Sequence, residues 1–224
     1  MSINIAIDGP AGAGKSTIAK KLAKELGFIY VDTGAMYRSM GLYFLRKGVD
    51  GKDEAAIKAG CPDIQVSIRY ENGEQQVLLN GENVSGLIRN EEVGGMASTI
   101  SAYGFVRDTL TELQRDLART SNVIMDGRDI GTCILPNADV KIFLTASVEC
   151  RATRRYKEML ERGVEADYDE IAKDIAKRDE QDMNRAVAPL KQAEDAVLVD
   201  TSDMNIDEVV AAIRKIYQEK CECK

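Results

Sequence analysis

Hydrophobic residues in this chain fall into short, nearly unbroken runs separated by longer amphipathic stretches. Residues 3–7, 28–31, 123–126, 140–144 and 196–199 are such runs. Apolar strands of this kind are expected in a parallel sheet covered on both faces. The stretches between them repeat at helical spacing. Residues 16–26 place Ile18, Leu22 and Leu26 on one face, with Gly27 behind them as a C-cap. A helix to about residue 46 carries Met36, Met40 and Phe44 four apart, and Gly48 closes it. A short helix is expected over 53–59, then helices over 91–101 and 104–120. Ser147 can cap a helix that runs to Arg162 and stops at Gly163. Helices over 167–184 and 206–217 complete the set. One segment breaks the rhythm. Ile64, Val66 and Ile68 alternate with polar neighbours, Asn72-Gly73 supplies a turn, and residues 77–79 lead to a second turn at Asn80-Gly81. That alternation predicts an antiparallel hairpin as the body of an insertion over about 60–90.

Five buried strands alternating with helices predict an α/β fold, a parallel sheet with right-handed crossovers. Ligands gather at the carboxyl ends of such strands. The candidate chemistry sits there. Gly9-Pro10-Ala11-Gly12-Ala13-Gly14-Lys15-Ser16 follows the first strand and opens the first helix, which is the context a P-loop requires. Its glycines let successive amides curl around an anion, and the helix N-terminus adds its positive end. Gly9 to Thr17 are therefore expected to bind a nucleoside triphosphate, with Lys15 on the β- and γ-phosphates and the Ser16 hydroxyl on Mg²⁺. Asp32-Thr33-Gly34 and Asp126-Gly127-Arg128-Asp129 end two other strands and should open on the same cleft.

The chain has 224 residues, a formal charge of −7 and no His. That charge argues against nucleic acid or an anionic membrane as a main partner, so a nucleotide site must be a local basic cleft in an acidic protein. Lacking His, the chain has no imidazole base and no Ser-His-Asp or Cys-His centre. Five cysteines do not form an evident disulfide framework, and Cys221 with Cys223 are too few ligands for a closed zinc site. With neither a leader nor an apolar run of ~18 residues, a cytoplasmic protein is expected.

Arginine narrows the reading, because guanidinium forks onto phosphate oxygens. Arg128 lies in a Gly-flanked turn after a buried run. Arg151, Arg154 and Arg155 sit at i, i+3 and i+4, one basic helix face suited to a lid that closes over a triphosphate and stabilises transition-state charge. Ile171, Ile175, Arg178, Asp182 and Arg185 share another face, so an apolar stripe continues as charge. That helix should leave the core and enter the cleft.

Four segments together resemble the bacterial cytidylate kinases: the P-loop, Asp32-Thr33-Gly34-Ala35-Met36-Tyr37-Arg38, Asp126-Gly127-Arg128-Asp129-Ile130-Gly131-Thr132, and the run from Asp182 through Asn184-Arg185-Ala186 to Pro189-Leu190. The resemblance spans the chain and includes the hairpin insertion. It implies a P-loop three-layer fold with a five-stranded parallel sheet, a small antiparallel β insertion that binds the monophosphate, and a helical lid. The core would comprise 1–38, 91–147 and 186–224, the insertion 39–90, and the lid with its flanking helices 148–185. By position, the resemblance implies that Thr33, Arg38 and Arg128 hold the acceptor phosphate. Ser98, Arg107 and Asp129 would read cytosine, and Arg178 and Asp182 the ribose, with Arg185 near the phosphates. Arg151, Arg154 and Arg155 would lie over the donor. Lys15, Arg128, Arg185 and those three would be the catalytic cations. The implied reaction is transfer of the γ-phosphoryl of ATP, with Mg²⁺, to CMP or dCMP, by a monomer. The residues alone leave open a kinase of another small metabolite, UMP as acceptor, and a GTP switch; the chain has no Asn-Lys-x-Asp guanine-reading segment.

Overall fold

Each of the expected apolar runs becomes a strand, and the structure, a computed structural model, describes residues 2–222. In chain order the elements are β1 (Asn4–Asp8), α1 (Lys15–Leu26), β2 (Ile29–Asp32), α2 (Thr33–Arg46), α3 (Glu54–Gly60), β3 (Val66–Glu71), β4 (Glu74–Leu79), β5 (Glu82–Asn83), α4 (Glu91–Ile100), α5 (Gly104–Thr120), β6 (Val123–Gly127), β7 (Val140–Thr145), α6 (Val148–Glu161), α7 (Tyr168–Asn184), β8 (Val197–Asp200) and α8 (Ile206–Tyr217). A π-turn, Ile130–Ile134, follows β6. The main sheet runs β2-β6-β1-β7-β8, and all four pairings are parallel. Strand order reverses beside β1, which places the P-loop at the switch point where such sheets bind ligands.

The turns follow local chemistry. Gly27 ends α1 in the left-handed conformation, and Asn72-Gly73 and Asn80-Gly81 all carry positive φ, as two-residue hairpin turns demand. The insertion is a three-stranded antiparallel sheet rather than a single hairpin, because the second turn leads into the two-residue β5. It also shares its core with the main sheet. Val77, Leu79, Val84 and Ile88 pack in one apolar cluster with Met36, Met40 and Phe44 of α2 and with Val31 and Met125 of the sheet. The Gln75 amide clamps both backbone groups of Asp32, accepting from its N–H at 2.9 Å and donating to its carbonyl at 3.1 Å. A second cluster covers the opposite sheet face with α1 and α8, and a small third one, around Ala152, Ile171 and Ile175, joins α6 to α7.

Among the described residues no helix is long and apolar enough to cross a membrane, and no cluster of acidic or thiol side chains could hold a metal ion alone. Cys61, Cys133 and Cys150 are free thiols. Cys223, half of the tail pair, lies outside the described residues.

Candidate active site

Three neighbouring strands carry an aspartate at their carboxyl end: β1 and β2 finish on Asp8 and Asp32, and Asp126 is the next-to-last residue of β6. Register puts Asp32 beside Asp126 and Asp8 beside Gly127. Above them opens a cleft of about 1190 Å³, larger than the ~300–1,000 Å³ that one small ligand usually occupies.

One half of the cleft is the P-loop. Among the described residues six of eight α-helices have a side-chain N-cap, supplied by Asp32, Asp53, Asn90, Ser147, Asp167 and Asn205. Helix α1 has none; its N-cap is Gly14 in the left-handed conformation, with no acid in the first turn. Its leading amides are left for an anion. Ala11 through Thr17 line this half. Gly9 and Pro10, also expected to bind the nucleotide, do not. A Cβ on Gly9 would stand 1.9 Å from the Leu144 carbonyl oxygen, so glycine is required there by the approach of β7 rather than by a ligand. The Lys15 ammonium donates to the Gly9 carbonyl at 2.8 Å and the Pro10 carbonyl at 2.7 Å. Burial, then the nearby Arg128, lowers its pKa. A phosphate would relieve both effects. The Ser16 hydroxyl donates to Asp126 Oδ2 at 2.9 Å, and the Tyr30 hydroxyl to Asp126 Oδ1 at 2.8 Å. Burial, then Asp32, pushes the Asp126 carboxyl up to about 6. This hydroxyl and carboxylate, hard oxygen donors beside the phosphate nest, suit Mg²⁺.

The other half is arginine-rich. Helix α7 runs from its buried apolar end, Ile171 and Ile175, into the cleft, where Arg178, Asp182 and Arg185 line the wall. Arg128 Nε donates to Asp182 Oδ2 at 2.8 Å. Burial raises the Asp182 pKa, but Arg128 and the other arginines outweigh it and leave the carboxyl below its ordinary value. Asp129 lies between Arg107, with which it forms a buried ion pair, and Arg185 at 3.5 Å. Arg38 and Arg178 have no carboxylate within ion-pair distance among the described residues. Arg38 instead donates to the Ile88 carbonyl at 3.0 Å. Burial, then Arg128, lowers the Arg178 pKa to about 10. Thr33 lines the same wall, its hydroxyl donating to the Asp126 carbonyl at 2.7 Å. Of six buried side-chain polar atoms without a hydrogen bond of good geometry among the described residues, four belong to this wall: Tyr37 OH, which lies near Gln114, Ser98 Oγ, Arg178 Nε and Arg185 Nη2, whose only charge contact is the 3.5 Å one to Asp129. Burial pushes the Tyr37 hydroxyl up to about 12.

The three arginines of α6 do not form the single basic face their spacing predicts. Arg154 lines the cleft and donates to the carbonyl of Thr201 at 2.6 Å, and Arg155 reaches across the mouth to pair with Glu91 of α4. Arg151 turns away. Only 3% exposed, it is locked to Asp179 and to the P-loop carbonyl of Ala11 and does not line the cleft, against the expected place over the donor. The sequence places Asp126 at the cleft but gives it no role beside Ser16, and it gives no sign of Asp179, a helix residue beside Arg178.

The family model for cytidylate kinase matches residues 5–219. The curated cytidylate kinase of Shouchella clausii (strain KSM-K16) is 50% identical over 216 residues, covering 96% of each chain. That of Thermosipho melanesiensis (strain DSM 12029 / CIP 104789 / BI429) is 47% identical over 222 residues, covering 99% of this chain and all of its own. Among solved structures, an uncharacterized protein from Eubacterium ventriosum ATCC 27560 superposes with a TM-score of 0.55 over 98% of this chain and 99% of its own; at 13% identity the likeness is one of fold.

Proposed function

This chain belongs to the cytidylate kinase family, and from that premise we propose that its cleft transfers the γ-phosphoryl group of ATP to CMP or dCMP, releasing ADP and CDP or dCDP. One observation carries the reading. The cleft joins two anion sites, an uncapped amide nest with a lysine and an arginine wall with too few carboxylates, and among the described residues the buried polar atoms lacking a good hydrogen bond concentrate in the second.

In this reading ATP lays its phosphates on the amides of residues 11–17 and draws Lys15 off the loop carbonyls. Arg154 and Arg155 flank the donor from α6. Ser16 and Asp126 would hold Mg²⁺, which when bound neutralises charge on the donor phosphates. The acceptor phosphate is held by Arg38, Arg128 and Thr33. Ser98 Oγ, Arg107 and Asp129 read the base; the Asp129 carboxylate accepts from the exocyclic amine of cytosine, whereas the uracil carbonyl would meet it unpaired. Asp182 has one oxygen on Arg128, and its other, with Arg178, faces the ribose hydroxyls. Arg185 lies between base and phosphate.

No general base is needed. A phosphate monoester has a second pKa near 6, so at pH 7 its oxygen is largely deprotonated. The protein's task is to bring two anions into line and neutralise them while excluding water. All these groups come from one chain, so the site does not require a second copy. The test is ADP formation from ATP across CMP, dCMP, UMP and small metabolites. CMP and dCMP should stimulate turnover far above the rest. ATP consumption indifferent to CMP would overturn the reading.

A further inference from the structure

Arg151 is excluded from the cleft, yet it is the most fully engaged guanidinium near it. Its Nε donates to the carbonyl of Ala146, at the end of β7, at 2.9 Å. Its Nη1 donates to the P-loop carbonyl of Ala11 at 2.9 Å and to Asp179 Oδ1 at 3.0 Å, and Nη2 donates to Asp179 Oδ2 at 2.6 Å. Both side chains are buried, Arg151 on α6 and Asp179 on α7. A buried pair of this kind gives little net stability over an apolar substitute, because both charges lose their hydration. Its geometry does something an apolar pair could not.

The Ala11–Gly12 peptide, like every described peptide, is trans. Across a trans peptide, C=O and N–H point in opposite directions. Arg151 holds the Ala11 carbonyl from beneath, with its stem 3.6–3.9 Å below the position a Gly12 Cβ would take. The Gly12 N–H is thereby turned to the other side, where Ala11 through Gly14 line the donor half. Gly12 has φ +75°, which glycine reaches without steric cost, so a contact such as that of Arg151 decides which way the peptide faces.

We infer that the Arg151–Asp179 pair is a positioning latch: it ties the α6–α7 hairpin to the P-loop and presets the Gly12 amide for the donor's phosphates. The inference rests on reading the P-loop as the ATP site. Arg151 and Asp179 touch no substrate; they act through one peptide. Their loss should therefore weaken ATP and spare CMP, whose wall is built from other residues.

The test compares Arg151→Lys, Asp179→Asn and Asp179→Glu with the wild type in steady-state assays, alongside thermal melts. Lysine keeps the charge opposite Asp179 but has no fork to reach Ala11, Ala146 and two carboxylate oxygens together. Arg151→Lys and Asp179→Asn should raise KM for ATP by about tenfold or more, the loss expected for one amide–phosphate bond, with KM for CMP within twofold. Asp179→Glu, which keeps the ion pair, should recover most of the ATP affinity. ATP KM within twofold of wild type in the folded variants would overturn the latch, as would equal losses for ATP and CMP. If neither Arg151→Lys nor Asp179→Asn folds, the pair is a stability element alone and the latch is equally overturned. A wild type inert toward CMP would instead sink the kinase reading.

Discussion

At the scale of single residues, Arg178 shows how a binding site departs from what folding alone would choose. It sits in a protein with a surplus of acids, yet among the described residues no carboxylate lies within ion-pair distance of it and its Nε has no hydrogen-bond partner, and burial with neighbouring arginines depresses its pKa to about 10. A cation so placed opposes folding until an anion arrives. Arg178→Ala should therefore act in opposite directions on two measurements. KM for CMP should rise about 10–100-fold, the range for losing a charge-assisted contact. The melting temperature of the ligand-free protein should rise by a few degrees, since ~1 kcal/mol shifts a chain of this size by about 2–4 °C. A variant that loses CMP affinity and stability together would show Arg178 to be structural. Lys15 displays the same tension, parked on two carbonyls that offer it hydrogen bonds but no charge.

At the scale of elements, what the sequence reveals is what local chemistry decides. The helix over residues 104–120, the Ser147 cap and the Asn-Gly turns appear where periodicity and turn residues put them, because each is settled within a few neighbours. The continuation of the α7 stripe into the cleft is legible for the same reason. The destinations of Arg151, Arg154 and Arg155 are not. Helical spacing says they are neighbours but cannot say that one meets Asp179, 28 residues away, while the others meet Thr201 and Glu91. Nor does alternation reveal that the insertion shares its core with the sheet. The strand–loop–helix unit yields a sharper element-scale expectation. Gly9 carries φ +151° and would place a Cβ 1.9 Å from a backbone oxygen of β7. Relief requires moving either the loop or a central strand. Gly9→Ala should cost more than ~3 kcal/mol, outside the usual range for a surface substitution. Gly14→Ala, with open space but φ +87°, should cost only about 1–2 kcal/mol. Chemical denaturation of the two variants gives the order, and a milder loss at Gly9 would refute the account of that contact.

At the scale of the whole molecule, an acidic protein holds three aspartates at the carboxyl ends of neighbouring strands, Asp32 and Asp126 lining the cleft and Asp8 buried beside it, and that arrangement makes stability depend on pH. Asp8 is the clearest case. Its carboxylate accepts from the Ile130 and Gly131 amides at 2.8 and 2.7 Å, holding in place the loop that follows Arg128 and Asp129. Burial outweighs those bonds and raises its pKa from 3.8 to about 6. An acid whose folded pKa is raised takes up its proton in the native state before the unfolded chain does. Its contribution is therefore least favourable above pH 6, improves as pH falls through 6, and is complete below about 4. Between pH 7 and 5 that amounts to about 1 kcal/mol in favour of folding. Asp126, raised to about 6 as well, adds to the trend, while Asp182, whose folded pKa is lowered, opposes it once pH approaches the ordinary carboxylate range. Comparing wild type with Asp8→Asn isolates Asp8, because to first order the other groups and the constant offset of the substitution cancel. The stability of wild type relative to Asp8→Asn, read from urea midpoints, should increase by about 1 kcal/mol on going from pH 7 to pH 5. Parallel profiles would mean that Asp8 keeps an ordinary pKa, its two amide bonds balancing burial, and that the loop carrying Arg128 rests on a charge the fold tolerates without cost.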